Sequence, residues 1–202
     1  MIHLSQHRRE TESTYQQCLA HSVSRPESST YSIMRAGCPM KRSELVKAII
    51  NIVGRDRTVH EETELKLYSY DSSFLSSRHR FCPDVVALPR SAAEVSAIME
   101  IASAQGIPVT PRGAGSGETC GCVPTKGGIV LDLSPWNTIE EVDVPNMQAL
   151  VRPGVVHARL NEHLEKYGLF FPPDPGSTRM CTLGGMVANN SSGMRAVKYG
   201  VT

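Results

Sequence analysis

Several features that would place a protein in a broad class at once are missing from this 202-residue chain. Acidic and basic residues nearly balance, with a net charge of +1, so neither a basic nucleic-acid-binding face nor an acidic tail is indicated. No apolar run approaches the roughly 18 residues of a membrane helix. Residues 1–10 also lack the apolar centre of a secretory signal. We therefore expect neither a nucleic-acid partner nor a transmembrane segment.

A regular cysteine pattern is also missing. The six cysteines contain no C-x-x-C pair and no repeated spacing, so we expect free thiols in a reducing compartment and predict a cytoplasmic protein. Cys120 and Cys122 could suggest a metal, but no second cysteine or histidine pair completes a site, and we expect both to pack as small residues. His157 and His163 do not have the i, i+4 spacing of a helical metal pair, so we interpret them as packing or surface residues.

The stretch from Pro111 to Pro124 is the most informative part of the sequence, because it holds four glycines, at positions 113, 115, 117 and 121. Glycine tolerates positive φ and lets a ligand approach the backbone closely. Successive N–H groups in such a loop can converge on an anion, most often a phosphate, and Arg112 adds a positive charge at the edge. A flexible surface loop can have the same composition, so both interpretations stay open on this stretch alone.

Two common phosphate-binding motifs do not fit this stretch. The dinucleotide fingerprint G-x-G-x-x-G, started at Gly113, would require a glycine where the chain has Glu118. The P-loop pattern, started at Gly121, would require a glycine where the chain has Lys126. If the loop binds a phosphate, it does so by a third design.

The chain divides into a polar N-terminal segment and one structured region. Residues 1–39 are rich in Ser, Thr, Gln, Arg and Glu, which indicates either a disordered segment or a mis-assigned gene start upstream of Met40. Residues 40–202 form the predicted domain. Its first element is a helix over residues 43–53, ended by Gly54.

A βαβ unit leads into the glycine loop. Residues 84–89 predict a buried strand, and Ser91-Ala-Ala-Glu94 is a capping box that opens a helix ended by Gly106. Residues 107–110 predict a second strand, parallel to the first, with the glycine loop at its carboxyl end, where open α/β sheets bind ligands. The residues expected on the buried face of the helix are Val95, Ile98, Met99 and Ala102.

The remaining pattern completes an α+β fold. Residues 128–133 predict a third strand, and residues 139–144 and 149–152 predict a hairpin. A helix is expected over residues 157–167, with Leu160 and Leu164 on its apolar face and Gly168 as its C-cap.

A second rigid, glycine-containing segment follows this helix. Three prolines between Phe170 and Ser177 predict an extended turn. Gly184 and Gly185 allow close backbone approach, and polar side chains follow them. A polar loop could explain this composition, but two separate glycine-rich segments in one chain favour a cofactor cradle.

Three stretches together resemble the FAD-binding domain of the FAD-linked oxidase family, which includes vanillyl-alcohol oxidase and p-cresol methylhydroxylase. The most similar branch contains the FAD subunit of glycolate oxidase and the FAD-dependent D-lactate dehydrogenases. The resemblance extends from about residue 41 to the end. The stretches are PRGAGSG at 111–117, PPDPGS at 172–177, and CTLGG at 181–185 continuing to KYGVT at 198–202.

This resemblance implies a two-lobed FAD-binding domain of the p-cresol methylhydroxylase (PCMH) type over residues 40–202, truncated at its C-terminus and without a substrate (cap) domain. The implied activity is oxidation of a 2-hydroxy acid, of the glycolate or D-lactate type, by hydride transfer to flavin N5. The catalytic acid–base residues would lie in the missing domain. An iron–sulfur or other electron-transfer partner subunit is also implied, through which the protein could associate with a membrane.

The resemblance further implies which residues contact FAD. The glycine loop would wrap the pyrophosphate, the proline-rich segment would pass near the flavin, and the following segment would line the cofactor's other side. In some members of the family a histidine of this loop attaches FAD covalently, but no histidine lies between residues 111 and 124. Noncovalent FAD is therefore expected, and Cys181 is the alternative by which a covalent bond could form. The implied contact residues are Arg112, Gly113, Ala114, Gly115, Ser116, Gly117, Glu118 and Thr119; Pro173, Asp174, Gly176 and Ser177; and Thr182, Gly184, Gly185, Ala188, Asn189, Asn190 and Gly193.

Two other functions remain open at this point. The same domain serves FAD-linked oxidases of other alcohols, sugars or phenols, and only the substrate domain would discriminate among them. A non-catalytic flavin-binding module is the alternative of a different class.

Overall fold

The structure, a computed structural model, describes residues 40–78 and 81–202, so the predictions for residues 1–39 lie outside the described residues. Helices and strands are mixed along the chain, as expected for an α+β domain. The elements are α1 (Arg42–Val53), β1 (Thr58–Val59), α2 (Glu62–Leu65), α3 (Phe74–Arg78), β2 (Val85–Ala87), α4 (Ala92–Gln105), β3 (Val109–Arg112), β4 (Ile129–Asp132), β5 (Ile139–Asp143), β6 (Gln148–Val151), α5 (His157–Glu165), α6 (Leu183–Ala188) and α7 (Ala196–Tyr199).

The first sheet has four strands in the order β1-β2-β4-β3. Strands β2 and β3 both run parallel to β4, whereas β1 is antiparallel to β2. The two strands of the βαβ unit, β2 and β3, are therefore parallel, as predicted, but they do not pair directly because β4 lies between them. All four residues of β4 are buried, and the central place lets this strand cover apolar side chains on both of its faces.

Alternation along β2 and β4 divides their side chains between two apolar layers. Val85 and Ile129 pack with α1 and α4 on one face of the sheet, in a cluster that also contains Leu45, Ile49, Val53, Ala87, Ile98, Ala102, Ile107 and Leu131. Val86 and Val130 pack with Leu65 on the other face. Successive side chains of a strand point to opposite faces, so a strand that is covered on both faces needs an unbroken apolar run.

The predicted first helix and its stop signal are confirmed. Helix α1 buries Leu45, Ile49 and Val53, and Gly54 follows it with a φ of 91°. A side chain at this position would have to occupy the left-handed region, which glycine adopts without a steric penalty.

Helix α4 begins with only half of the predicted capping box. The Ser91 hydroxyl accepts a hydrogen bond from the Glu94 N–H at 3.2 Å. The Glu94 carboxylate instead accepts from the Arg90 N–H at 2.7 Å and from both terminal nitrogens of Arg57 at 2.9 Å. The hydrogen bond from Arg57 lowers the pKa of Glu94. Glu94 thus ties α4 to the turn that precedes β1.

Two details of the βαβ unit differ from the sequence prediction. Met99 is 45% exposed, while Ile98 and Ala102 are buried as predicted. Strand β3 extends to Arg112, so Pro111 and Arg112 belong to the strand and the loop begins at Gly113. Pro111 and Arg112 continue the pairing of β3 with β4, whereas the sequence pattern predicts that this strand ends at residue 110.

A second core forms around the predicted hairpin, β5 and β6, which is confirmed. Helices α5 and α6 contribute to it, and the buried residues are Val155, Leu160, Leu164, Cys181, Leu183 and Met186. This second core is separate from the two apolar layers of the first sheet.

The Gly184–Gly185 segment is part of helix α6 rather than a loop. Two glycines cost a helix about 2 kcal/mol relative to alanine, so local propensity does not favour this element. Burial of Leu183 and Met186 in the second core favours it, since tertiary packing supplies most helical stability in proteins.

Within residues 40–78 and 81–202, no helix combines the length and the apolar character that crossing a bilayer requires.

Two glycines near the first sheet, Gly106 after α4 and Gly128 before β4, allow a test of how closely the chain packs there. Gly106 and Gly128 both have left-handed φ values, of 62° and 80°. A Cβ atom on Gly128 would lie 2.1 Å from the Pro108 carbonyl oxygen, whereas one on Gly106 would meet nothing within 4 Å. We expect Gly106→Ala to cost about 1 kcal/mol through backbone strain alone, and Gly128→Ala to cost about 1–3 kcal/mol more through the clash. Urea unfolding of both variants measures the difference, and equal losses would contradict this packing.

Candidate functional site

The glycine loop lies at the carboxyl edge of the parallel strands. Arg112 ends β3 and is in register with Asp132, which ends β4. Ligands of open α/β sheets bind at this edge, so the fold places the loop where the sequence analysis expects it.

The backbone N–H groups of residues 113–119 donate no hydrogen bond to any other described residue. Gly115 has a left-handed φ of 70°, which turns the chain at the centre of this run. Among the carbonyls, that of Gly117 accepts a bond from the Ser72 N–H at 3.0 Å. Residues 113–119 are half-buried or exposed, and successive backbone N–H groups with no partner in the chain form a candidate anion site.

The Arg112 guanidinium lies directly beneath this run. Its Nη1 atom donates to the Tyr70 carbonyl at 2.9 Å, and its Cζ atom lies 5.5 Å from the centre of the Tyr68 ring. A Cβ atom on Gly115 would lie 2.4 Å from Nη2. The positive charge therefore adds to the field of the free N–H groups, and the loop has room for the guanidinium only because Gly115 has no side chain.

Tyr68 connects the ends of β3 and β4. Its hydroxyl donates to Asp132 Oδ2 at 3.1 Å, and the Asp132 Oδ1 atom accepts from the Ser134 N–H at 2.9 Å and from the Ser134 hydroxyl at 2.6 Å. Burial and the negative charge of Asp132 raise the pKa of Tyr68 to about 12. The phenol thus stays protonated at neutral pH and contacts both Asp132 and Arg112.

The segment Tyr70–Ser73 holds the loop from behind, a role that the sequence analysis missed. Besides the bonds from Arg112 and to Gly117, Ser73 Oγ lies 2.8 Å from the Cys120 sulfur. Asp71 is buried and accepts from the Ser73 N–H through Oδ1, while its Oδ2 atom has no partner. No spacing pattern marks this segment, because its main-chain contacts with the loop depend on the tertiary fold.

Cys120 and Cys122 are both free thiols and partly buried. Cys120 has a left-handed φ of 59° and contacts Ser73. Cys122 lies 3.5 Å from Arg112 Nη1, and burial raises the pKa of its thiol, an effect that the Arg112 charge opposes. Within the described part of the chain, no group of three or more His, Cys, Asp or Glu side chains is placed to hold a metal.

The fold brings helix α6 against the glycine loop. A Cβ atom on Gly113 would lie 2.2 Å from Thr182 Oγ1, and one on Gly117 would lie 3.8 Å from Asn189 Nδ2. Thr182 is the N-cap of α6 and Asn189 its C-cap, so the loop runs beside the whole length of this short helix. The two glycine-rich segments that the sequence analysis singled out are thus neighbours.

The first N–H groups of α6 are already used within the chain. Leu183 and Gly184 donate to the carbonyls of Val155 and Pro153 at 2.8 and 2.9 Å, and Gly185 donates to Thr182 Oγ1 at 3.4 Å. A Cβ atom on Gly184 would lie 2.8 Å from the Pro153 side chain. Close packing against Pro153 thus requires glycine at position 184 whether or not a ligand binds. Helix α6 could contact a ligand through its exposed surface, but these three N–H groups are not available as donors.

The proline-rich segment is tied to residues that follow α6. Asp174 accepts from the Arg195 N–H at 3.2 Å and pairs with Arg195 Nε at 3.3 Å. A Cβ atom on Gly193 would lie 2.0 Å from the Asp174 carbonyl oxygen. Within residues 40–78 and 81–202, no hydrogen bond, ion pair or ring contact joins Asp174 or Ser177 to the glycine loop.

The other predicted contact residues lie near these two groups. Pro173 is buried, while Gly176 is exposed with nothing within 4 Å of its Cβ position. Ala114, Glu118, Thr119, Ala188 and Asn190 are exposed, and Ser116 is half-buried. Cys181 lies in the second core, and burial raises the pKa of its thiol.

Two surface concavities lie away from the glycine loop. One, of about 460 Å³, is lined by residues of α5 and by Leu169 and Phe170. The other, of about 400 Å³, lies between the start of α4, Trp136 and Arg152. Neither is lined by residues of the glycine loop.

Comparison with known proteins identifies the family of this chain. The model of the FAD binding domain matches residues 83–202. The glycolate oxidase subunit GlcD of Bacillus subtilis is 37% identical over 163 residues, which are 81% of this chain and 34% of the relative. The mitochondrial D-lactate dehydrogenase [cytochrome] of Arabidopsis thaliana is 41% identical over 118 residues, which are 58% of this chain and 20% of the relative. The chain thus spans about a third or less of the length of these relatives.

Solved structures share the fold. Alkyldihydroxyacetonephosphate synthase superposes with a TM-score of 0.72 at 26% identity, over 81% of this chain and 32% of its own. p-Cresol methylhydroxylase superposes with a TM-score of 0.62 at 18% identity, over 74% of this chain and 29% of its own, which bears on the fold alone. These likenesses confirm the predicted PCMH-type architecture.

The contact between Tyr68 and Asp132 predicts a pH dependence of stability. The pKa of about 12 in the folded protein exceeds the unfolded value of about 10. The stability that Tyr68 contributes is therefore complete below pH ~10 and is lost as the pH rises towards 12. Between about pH 10 and pH 12, the free energy of unfolding should therefore fall more steeply in the parent chain than in Tyr68→Phe.

The matched control is Tyr70→Phe, since the Tyr70 side chain is half exposed and only its main chain contacts Arg112. Urea unfolding at both pH values measures the slopes. A Tyr68→Phe variant whose stability depends on pH as steeply as the parent would contradict the raised pKa of Tyr68, which burial and the Asp132 charge cause.

Proposed function

The chain belongs to the FAD-binding domain family that matches residues 83–202, and from this premise we propose that it is the FAD-binding part of an oxidoreductase that oxidises a 2-hydroxy acid of the glycolate or D-lactate type. Its relatives are the glycolate oxidase subunit GlcD and D-lactate dehydrogenases, so the relation to FAD-dependent oxidoreductases is established at the level of the family. The substrate class and the complete reaction are the proposed part.

The run of unpaired N–H groups at residues 113–119 is the observation that carries this proposal. FAD contains a pyrophosphate, whose charged oxygens are strong hydrogen-bond acceptors. Donors that need no rearrangement, with the Arg112 charge beneath them, fit such an anion. Gly115 and Gly117 leave the backbone uncovered, so the phosphates can approach closely.

The other two segments complete the proposed cradle. In this arrangement Asp174–Ser177 would lie beside the flavin. The residues that would line the other side of the cofactor are Thr182, Gly184, Gly185, Ala188, Asn189, Asn190 and Gly193. When bound, FAD supplies the two-electron acceptor for the substrate carbinol. Residues of this chain bind and orient the cofactor, and the acid–base groups of the reaction are expected in the part of the relatives' length that this chain does not span.

Noncovalent attachment is part of the proposal. No histidine lies between residues 111 and 124. Cys181 is buried in an apolar core with a raised thiol pKa, which disfavours the thiolate that a covalent bond would require.

Location and assembly belong to the proposal as well. The four cysteines among the described residues are free thiols, which supports a reducing, cytoplasmic compartment. Two of the relatives are named as subunits, which supports a partner subunit; an iron–sulfur protein is one candidate for it.

Gly117→Ala tests the cradle. A Cβ atom there would be 3.8 Å from its nearest neighbour, Asn189, so the free chain accepts it. In the loaded protein the same methyl group would occupy the space of the phosphates. We expect the affinities for FAD and for ADP both to fall at least about tenfold, equivalent to about 1.4 kcal/mol, with unchanged thermal stability. FAD binding is measured by flavin fluorescence and ADP binding by calorimetry.

Gly121→Ala is the matched control, because its Cβ atom would also lie at an ordinary distance, 3.7 Å from Thr119 Oγ1. It should bind both ligands as the parent does. If the two alanine variants bind FAD and ADP equally, the assignment of residues 113–119 to the pyrophosphate is wrong.

The substrate class is tested with FAD-loaded protein in the absence of oxygen. We expect glycolate or D-lactate to bleach the flavin absorbance in the longer protein that corresponds to the full length of the relatives. Bleaching by a phenol or a sugar but by neither hydroxy acid would favour another FAD-linked oxidase. No bleaching by any of them, with tight FAD binding retained, would favour a flavin-binding module.

A further inference from the structure

We propose that His157 and Asn161 are positioning residues that fix both ends of the proline-rich segment 172–177 and thereby set the affinity for the flavin half of FAD. This inference rests on the proposed function, in which Asp174–Ser177 lie beside the flavin. Neither residue has a role in the sequence patterns described above, where His157 was interpreted only as a packing or surface residue.

His157 contacts the two ends of the segment with its two ring nitrogens. The residue is 3% exposed at the start of α5. Its Nε2 atom lies 3.3 Å from the Phe171 carbonyl oxygen, and its Nδ1 atom is hydrogen-bonded to Thr178 Oγ1. The Asn161 Nδ2 atom also lies 3.2 Å from Nε2, so both ring nitrogens have polar partners. The imidazole therefore joins residue 171 to residue 178.

Asn161, one helical turn later, repeats the contact at the first end. Its Oδ1 atom accepts from the Phe171 N–H at 2.7 Å, and its Nδ2 atom lies 3.4 Å from the Phe171 carbonyl oxygen. At the other end, the Ala158 N–H donates to the Thr178 carbonyl at 3.1 Å. Residues His157, Ala158 and Asn161 of α5 thus form hydrogen bonds with Phe171 at one end of the segment and with Thr178 at the other.

Fixing the ends of this segment fixes its middle. Pro172, Pro173 and Pro175 have restricted φ angles and no N–H group, so the chain between residues 171 and 178 has few internal degrees of freedom. Asp174, in the middle, has its partner in Arg195. A short, stiff segment with two fixed ends presents one surface to a ligand, which lowers the ordering cost of binding.

A purely apolar residue would be the simpler choice at position 157 if packing were the only requirement. A buried polar side chain is costly unless its hydrogen bonds are made, and the imidazole makes one at each nitrogen. Satisfied buried polar groups specify one arrangement of their surroundings. The arrangement specified here is the distance between Phe171 and Thr178.

The test uses a matched pair at Thr178 in the 202-residue chain. Thr178→Val keeps the shape but removes the hydroxyl that is hydrogen-bonded to His157 Nδ1, whereas Thr178→Ser keeps the hydroxyl. A net hydrogen bond corresponds to about a two- to tenfold change in an equilibrium constant. We expect Thr178→Val to lower the affinity for FAD by about that factor and to leave the affinity for ADP, which lacks the flavin, unchanged. Thr178→Ser should bind both as the parent does.

Amide hydrogen exchange gives a readout that does not depend on FAD. Exchange at Phe171 and Thr178 should accelerate in Thr178→Val and in a second variant, His157→Gln, but not in Thr178→Ser. Unchanged exchange in both disruptive variants would overturn the inference. Equal losses of FAD and ADP affinity, or no loss of either, would also overturn it, because a general structural defect does not distinguish the two ligands.

Failure of the proposed function has a different signature. If the parent chain binds neither FAD nor ADP, the cradle assignment is wrong and with it the consequence for flavin affinity. The exchange experiment then decides whether His157 nonetheless fixes the segment.

Discussion

The close approach of Gly113 to Thr182 is the constraint on which the candidate site depends. Two cores, one around the parallel sheet and one around the β5–β6 hairpin, meet where no side chain fits, since a Cβ atom on Gly113 would lie 2.2 Å from the threonine oxygen. This contact sets the glycine loop against α6. Helix α6 forms despite its two glycines because Leu183 and Met186 are buried in the second core. Gly184 also has no side chain to collide with Pro153. Packing thus outweighs a helix propensity that is about 2 kcal/mol unfavourable.

The site's electrostatics follow from how the loop is held. Arg112 donates to Tyr70 and Ser72 donates to Gly117, so the loop is anchored through its carbonyl and side-chain groups while its N–H groups stay free. Tyr68 contacts both charged residues that end β3 and β4: its hydroxyl donates to Asp132, and its ring lies against the Arg112 guanidinium. The Arg112 charge also lies next to Gly115 in the loop. This arrangement uses the main chain for binding and leaves the redox chemistry to the cofactor.

The three segments of the proposed FAD site are positioned by different means. The glycine loop has free donors, α6 has its donors occupied by Val155 and Pro153, and the proline-rich segment is tied to α5 and to Arg195. Glycines that look alike in the sequence therefore occur for different structural reasons. Gly113, Gly184 and Gly193 are required by neighbouring chain, whereas Gly117 and Gly176 face space. Only the latter kind can report on a ligand without first disturbing the fold.

The sequence by itself determined the elements whose signal is local: α1 with Gly54, the strand run of β4, the hairpin and the apolar face of α5. It also determined the family, because three glycine- and proline-rich motifs occur together. Only the tertiary structure decided that β4 lies between β2 and β3, that Gly184 and Gly185 are helical, and that Tyr68 to Ser73 hold the loop. Strand order depends on which faces can be buried together, and main-chain contacts such as Ser72 to Gly117 leave no pattern in residue types. Long-range packing, rather than local preference, therefore determined the site.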